Sequence, residues 1–383
     1  MSKHLDTIVI GIGSMGSATC WHLAQRGLRV LGIEQFTSPH EHGSHTGQSR
    51  IIRKAYFEHP DYVPLLQRAY ELWRKFEEVS KAKLFYKTGI VYAGKPDNEN
   101  IKAILSSASL YDIPIKERPI KESRTQFPWL KIPGDFITIF EDDAGFITPE
   151  QTIDFFIRQA GRSGATILQN ESVKEWKYES GKIKVTTNRK TYSSDKLVIT
   201  AGSWTSTLLP QLQSKLRVTE QLLAWVDVPQ QKKFSLGNFP CWFIEDPDLG
   251  TFYGFPVLPE DKFSGPSGFK LAHHAPGAST DPDKRSSSIP ADFETKINYV
   301  LDQYIPEAKG KIVASKSCLY TYSPDSHFII DHLPGYDNNV VIACGFSGHG
   351  FKFVPVIGEI LSDLVMKNFT ELPIGFLRLS RFA

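Results

Sequence analysis

The stretch that most restricts how this chain can fold is DTIVIGIGSMG, residues 6–16. Its β-branched run breaks at Gly11, Gly13 and Gly16, and residues 17–27 then carry helical character, so the order is strand, glycine turn, helix. Gly11 permits the tight reversal, Gly13 lets backbone approach a pyrophosphate, and Gly16 lets the helix lie close on the strand. Ser14 and Met15 sit in the same turn and count with it as nucleotide contacts, because the helix N-terminus offers free N–H groups to an anion. A second apolar run, residues 30–33, ends at Glu34, eighteen residues after Gly16. A carboxylate there accepts hydrogen bonds from both ribose hydroxyls and repels a 2′-phosphate, so a dinucleotide other than NADP is expected. A glycine turn alone is common in α/β proteins; the strand, helix and terminal acid together carry the reading.

At 383 residues the chain exceeds one minimal core and fits two closely packed domains, or one with a large insertion. A charged fraction of 22% and a net charge of +2 describe an ordinary globular protein, with no electrostatic case for nucleic acid or an anionic membrane surface. Cys20, Cys241, Cys318 and Cys344 are scattered, without CxxC or zinc-finger spacing, so neither a disulfide framework nor a metal site is expected. No stretch approaches the roughly 18 apolar residues of a membrane span, and the start of the chain lacks a signal-sequence pattern. A cytoplasmic protein is expected, and a monomer, since no coiled-coil pattern or interface stripe calls for a partner.

Further along, Leu66, Ala69, Trp73 and Phe76 recur at helical spacing over residues 62–79. Thr148, Pro149 and Gln151 resemble a capped helix start, with the helix running toward Gly161. Residues 173–178 and 183–187 alternate as strands around Ser180-Gly181, a predicted hairpin, and residues 196–200 form another strand ending at Ala201-Gly202. The segment 218–317 is rich in proline and scattered aromatics, with β-like runs such as residues 251–255. Residues 340–343, a glycine-rich turn at 345–350 and a helix over 354–367 return to α/β style. The expected fold class is α/β, α+β overall: a Rossmann-type nucleotide domain with a second, mostly antiparallel β-sheet substrate domain. The nucleotide domain is expected to be discontinuous, from 1–80, 148–217 and 318–383, with the substrate domain in 81–147 and 218–317.

Four cations occupy settings rich in small and apolar residues and therefore need partners. Arg50 and Arg53 follow the loop GSHTG at 43–47, Lys270 lies in GFKL, and Lys352 sits between Phe351 and Phe353. With these motifs in view, the chain resembles the monomeric sarcosine oxidases and the N-methyltryptophan oxidases along essentially its whole length. The resemblance rests on IVIGIGSMG, GSHTGQSRIIRKAY from Gly43, YGFP from Tyr253, GFKLAHH from Gly268, CLYTYSPDSHFIID from Cys318, GFSGHGFKF from Gly345, and the ending RLSRF.

That resemblance implies FAD as cofactor, joined covalently through Cys318, and an oxidase that passes electrons from a small amine substrate to dioxygen. It implies that Arg53 and Lys352 grip the substrate carboxylate, that Lys270 activates dioxygen, and that Arg50 stacks on the flavin. Tyr253, His274 and Tyr320 fall around the amine and carboxylate, and Phe243 lines the substrate site. Ser44, Thr46, Ser49, Val173, Gly202, Gly345, Gly348 and Gly350 join the turn residues and Glu34 as cofactor contacts, with Lys352 at the edge of both sites. This chain departs from the family's GSHHGDTR at Thr46, Gln48 and Ser49, and from its methionine at Phe243. The loss of an imidazole at Thr46 is expected to alter the flavin's redox poise, and Phe243 leaves the substrate side chain open. A pipecolate or fructosyl-amino-acid oxidase, a flavin dehydrogenase of the same fold, an NAD-linked dehydrogenase and a non-catalytic flavoprotein stand as the alternatives.

Overall fold

A computed structural model describes residues 4–285 and 289–382. The opening run is the strand Leu5–Ile10, and its side chains from Thr7 onward are buried on both faces, as a central parallel strand requires. It pairs in parallel with Val30–Ile33 on one side and Thr191–Ile199 on the other. Thr166–Leu168 extends the parallel set beyond Val30–Ile33, and Val340–Cys344 extends it beyond Thr191–Ile199. Chain order therefore reverses between Leu5–Ile10 and Thr191–Ile199, and the carboxyl ends of all five strands open onto one side of this sheet. That crevice is where doubly wound sheets hold their ligands. Ile329–His332 pairs antiparallel with Val340–Cys344, and the hairpin of Val173–Glu179 and Lys182–Thr187 lies against the first half of Thr191–Ile199.

The first helix spans Ser14–Gln25, three residues earlier than the pattern predicts. Gly13 is its N-cap, so the turn closes inside GSMG, and Gly16 lies within the helix. Gly358 of the helix Val354–Lys367 approaches it closely enough that a Cβ there would meet Ala18 at 2.9 Å. The helix Tyr62–Ser80 buries Leu66, Ala69, Trp73 and Phe76 as its spacing predicts. Pro149–Arg162 forms where expected, yet the Thr148 hydroxyl makes no cap and instead lies 3.4 Å from the Leu84 carbonyl, so the predicted capping box is absent. Ser180 and Gly181, with φ of 51° and 72°, supply the left-handed pair that the hairpin needs.

A second sheet of eight strands runs in the order Lys311–Tyr322, Arg217–Asp227, Phe269–His273, Gly250–Gly254, Cys241–Asp246, Ile90–Gly94, Ile137–Glu141, Lys116–Pro119. Only Cys241–Asp246 and Ile90–Gly94 pair in parallel, so this sheet is mostly antiparallel, as composition indicated. A small antiparallel sheet of Arg50–Ile52, Gly145–Ile147 and Phe85–Lys87 lies beside it. Among the described residues no helix is long and apolar enough to cross a membrane.

Candidate active site

An elongated cavity starts at the carboxyl ends of the parallel strands and reaches the second sheet. Gly11, Gly13, Ser14 and Met15 line its first part, with Glu34 beside them. The Glu34 carboxylate is 5% exposed and is held by the N–H groups of Ile12 at 2.8 Å and Phe36 at 3.0 Å. The three glycines divide their work. A Cβ on Gly11, at φ +88°, would sit 2.7 Å from the Thr200 carbonyl, and one on Gly16 would sit 1.9 Å from the Gly11 carbonyl. On Gly13 it would meet only His45 Nδ1, at 4.0 Å. The ground before Gly13 is therefore open, and the helix that begins there has no side-chain cap, which leaves its first N–H groups free for an anion. Val173 and Gly202 also line this end. A fixed acid beside an uncapped helix and an open glycine fits the ribose and pyrophosphate of FAD.

Midway, Ser44 and Arg50 form the wall. Arg50 donates to the carbonyls of Ser44 at 3.0 Å, Thr46 at 2.5 Å and Ser49 at 2.9 Å, so its charge is fixed by its own loop. Lys270 also binds this loop, reaching the Gly47 carbonyl at 2.5 Å, the Ser49 carbonyl at 2.8 Å and Ser49 Oγ at 3.0 Å. Its three hydrogens are thereby matched by three acceptors. Burial, together with the Arg50 charge, pushes its pKa well below the ordinary lysine value. Lys270, Gly16, Thr46, Ser49 and Cys318 are buried without lining the cavity. Cys318 is fully buried on the strand Lys311–Tyr322, with its neighbour Leu319 facing the cavity. Burial raises its thiol pKa, against the lowering charges of Arg50 and Lys270.

The far end brings together Arg53, Lys352, Phe243, Tyr253, His274 and Tyr320, with Gly345, Gly348 and Gly350 on the adjoining turn. Arg53 is 1% exposed and its guanidinium carbon lies 4.4 Å from the Tyr56 ring centre, 4.0 Å from that of Phe57 and 5.5 Å from that of Phe243. One arm donates to the Ala55 carbonyl at 2.9 Å and another pairs with Glu58 at 2.7 Å. Its Nε is buried without a partner among the described residues. Lys352 donates to the His349 carbonyl at 2.7 Å. Burial, with the Arg53 charge beside it, brings Lys352 down to about 7, against an opposing pull from Glu58. Burial would raise Glu58, but Arg53, His349 and Lys352 outweigh it and hold the carboxyl at about 2. Burial lowers His274 to about 4, so its imidazole is neutral.

Sequence reasoning missed Glu58, Tyr56 and His349. Tyr56 closes the motif GSHTGQSRIIRKAY and Glu58 follows it, where no periodicity marks which side chains turn inward. His349 stood inside GFSGHGFKF, and its position beside the lysine of that motif was the only signal available.

A family described as FAD dependent oxidoreductase matches residues 6–364. A monomeric sarcosine oxidase from Streptomyces avermitilis is 36% identical over 389 aligned residues, covering all of this chain and 99% of that protein. An N-methyl-L-tryptophan oxidase from Salmonella dublin is 31% identical, with 99% of each chain covered. Among solved structures, the open form of NikD, an unusual amino acid oxidase essential for nikkomycin biosynthesis, superposes with a TM-score of 0.84 at 24% identity over 98% of each chain. L-proline dehydrogenase from P. horikoshii gives 0.83 at 23% identity, over 100% of this chain and 98% of that one. Those two likenesses show the fold. With the nucleotide cradle, the buried cation pair and full-length identity above 30% in agreement, the chain belongs to the FAD-dependent oxidoreductases, in the group of the monomeric sarcosine and N-methyl-L-tryptophan oxidases.

Proposed function

We propose that this protein oxidises a small secondary amine bearing one carboxylate, an N-methyl amino acid such as sarcosine or N-methyltryptophan. It yields an imine that water hydrolyses to an aldehyde and the free amino acid. In this reading FAD is held covalently through Cys318, hydrogen peroxide is the second product, and the protein is a cytoplasmic monomer. The observation that carries the proposal is the pairing of Arg53 and Lys352 on the cavity wall, both nearly fully buried. Below about pH 7, where Lys352 is charged, Arg53 and Lys352 exceed the Glu58 carboxylate they share by one positive charge, which matches one substrate carboxylate. The guanidinium offers a planar fork and the ammonium a point charge, so both oxygens can be engaged.

FAD, when bound, accepts the two electrons and the hydrogen of the amine's α C–H bond and passes electrons to dioxygen. The chain's residues supply orientation and charge. Arg53 and Lys352 fix the carboxylate, and thereby the α-carbon. The neutral His274 imidazole adds no charge at this end and can accept a hydrogen bond from the amine N–H at a ring nitrogen, so the amine reacts as its free base, whose lone pair assists C–H cleavage. Phe243 and Tyr253 keep water from the reacting bond. Arg50, on the cavity wall, places positive charge where reduced oxygen develops negative charge, and Lys270 holds the loop that carries it.

The aromatic surround supports a second reading. Phe243 packs 5.9 Å from Tyr92, 5.7 Å from Phe57 and 5.7 Å from Tyr253, ring centre to ring centre, and with Tyr253 gives the cavity an apolar wall that suits the saturated ring of a cyclic amino acid such as pipecolate. The test has two parts. Acid precipitation of wild type and Cys318→Ser should leave a yellow pellet only in the first. Peroxide release should then be measured with sarcosine, N-methyltryptophan and pipecolate. A colourless wild-type pellet removes covalent attachment, and no peroxide from any of the three removes the oxidase reading.

A further inference from the structure

Beside the carboxylate clamp, Tyr56, His349 and Lys352 form a buried network. The Tyr56 hydroxyl lies 2.7 Å from His349 Nδ1, and His349 Nε2 lies 3.1 Å from the Ser326 carbonyl oxygen. Lys352 Nζ lies 2.7 Å from the His349 carbonyl oxygen and 3.4 Å from the Tyr56 hydroxyl.

The direction of every bond in this chain follows from what each atom can do. A carbonyl oxygen only accepts, so His349 Nε2 carries a hydrogen. Burial lowers the His349 pKa to about 3, with Glu58 opposing, so the ring is neutral and Nδ1 keeps its lone pair. Tyr56 donates its hydrogen to Nδ1, the acceptor at 2.7 Å, against the competing Glu58 carboxylate that also acts on this hydroxyl, and its oxygen lone pairs are left to accept from Lys352. Lys352 thereby commits two of its three N–H groups, to the His349 carbonyl and to Tyr56. The third remains for the cavity that Lys352 lines. Both backbones are anchored as well: the Tyr56 N–H donates to Ser107 Oγ at 2.8 Å, and Trp73 Nε1 donates to the Lys352 carbonyl at 3.0 Å.

We propose that Tyr56 and His349 are positioning residues that aim the Lys352 ammonium at the substrate carboxylate, with His349 locked as its Nε2–H tautomer. This rests on the reading of Arg53 and Lys352 as a carboxylate clamp. A lysine side chain has four rotatable bonds, and an ammonium without fixed acceptors turns to the strongest anion within reach. Here that anion is Glu58, whose charge acts on Lys352 and which stands 4.0 Å from His349 Nδ1. The tyrosine oxygen holds the ammonium away from that pairing, and His349 holds the tyrosine.

The two ring nitrogens of His349 can be tested separately, since an asparagine oxygen falls near Nδ1 whereas a glutamine amide falls near Nε2. Holoenzyme variants would be titrated with acetate, following flavin absorbance, and assayed for KM and kcat with the preferred amine. Tyr56→Phe and His349→Gln should weaken acetate binding about tenfold, the cost of a lost bond to a charged group, and raise KM more than they lower kcat. His349→Asn, which keeps an acceptor for Tyr56, should bind acetate more tightly than His349→Gln. The proposal is overturned if Tyr56→Phe binds acetate as wild type does, or if Asn and Gln at 349 weaken binding equally. Acetate binding that is absent in wild type, or unchanged in Lys352→Met, would instead remove the clamp itself and this inference with it.

Discussion

Lys352 and Gln48 show how far a single side chain's role depends on its surroundings. Because burial and Arg53 hold Lys352 near pH 7, its ammonium is fully present only below that value. Acetate affinity should therefore be highest on the acid side and fall as pH rises through about 7, toward a level that Arg53 alone sustains. Titrations from pH 6 to 9 check this, and in Lys352→Met the step should vanish. Gln48 lies in the wall loop, and its amide can be oriented in one way only. Its oxygen accepts from Trp225 Nε1 at 2.8 Å, and its nitrogen donates to the carbonyls of Ser264 at 2.8 Å and Pro266 at 3.0 Å. The aspartate usual in the family has no hydrogen to give those carbonyls. Gln48→Glu should destabilise the protein by about 3 kcal/mol, by setting a buried charge against two carbonyl oxygens, whereas Gln48→Met should cost less. Urea unfolding compares the two.

Among the elements, the glycine turn separates folding from binding. Gly16 packs the first helix against the Gly11 carbonyl with no room for a methyl group, so Gly16→Ala should destabilise the protein by about 3 kcal/mol through overpacking. Gly13 faces open space, so Gly13→Ala added to Cys318→Ser should melt like Cys318→Ser alone when both are stripped of FAD, yet bind FAD more weakly. Thermal melting with and without FAD separates the two outcomes. The helix Pro149–Arg162 shows how tertiary structure redirects a local signal. Its expected cap fails, and the Glu150 carboxylate instead accepts from the N–H groups of Gly47 at 2.8 Å and Gln48 at 3.2 Å. The loop carrying Arg50 is thus tied to a helix a hundred residues away, a link that no local pattern could reveal.

At the scale of the whole molecule, the cavity lies between two sheets, and a ligand that fills it binds only the folded arrangement. Cys318→Ser protein stripped of FAD should melt at a lower temperature, and FAD at about 100 times its Kd should restore about 2.7 kcal/mol of stability; unchanged melting would show that the cofactor contributes nothing to joining the sheets. The sequence by itself determined the nucleotide strand, turn and acid, the hairpin at Ser180-Gly181 and the helices Tyr62–Ser80 and Val354–Lys367, because glycine geometry and side-chain periodicity act over a few neighbouring residues. The small and apolar settings of four cations marked them in the sequence, and the family motifs implied their roles. Only the tertiary structure decided that Lys270 spends its hydrogens on the loop of Gly47 and Ser49, that Arg53 already holds Glu58, and that Tyr56 and His349 hold Lys352. Those facts depend on which side chains of distant segments meet in a medium without water, where every buried charge must find its partner across the fold.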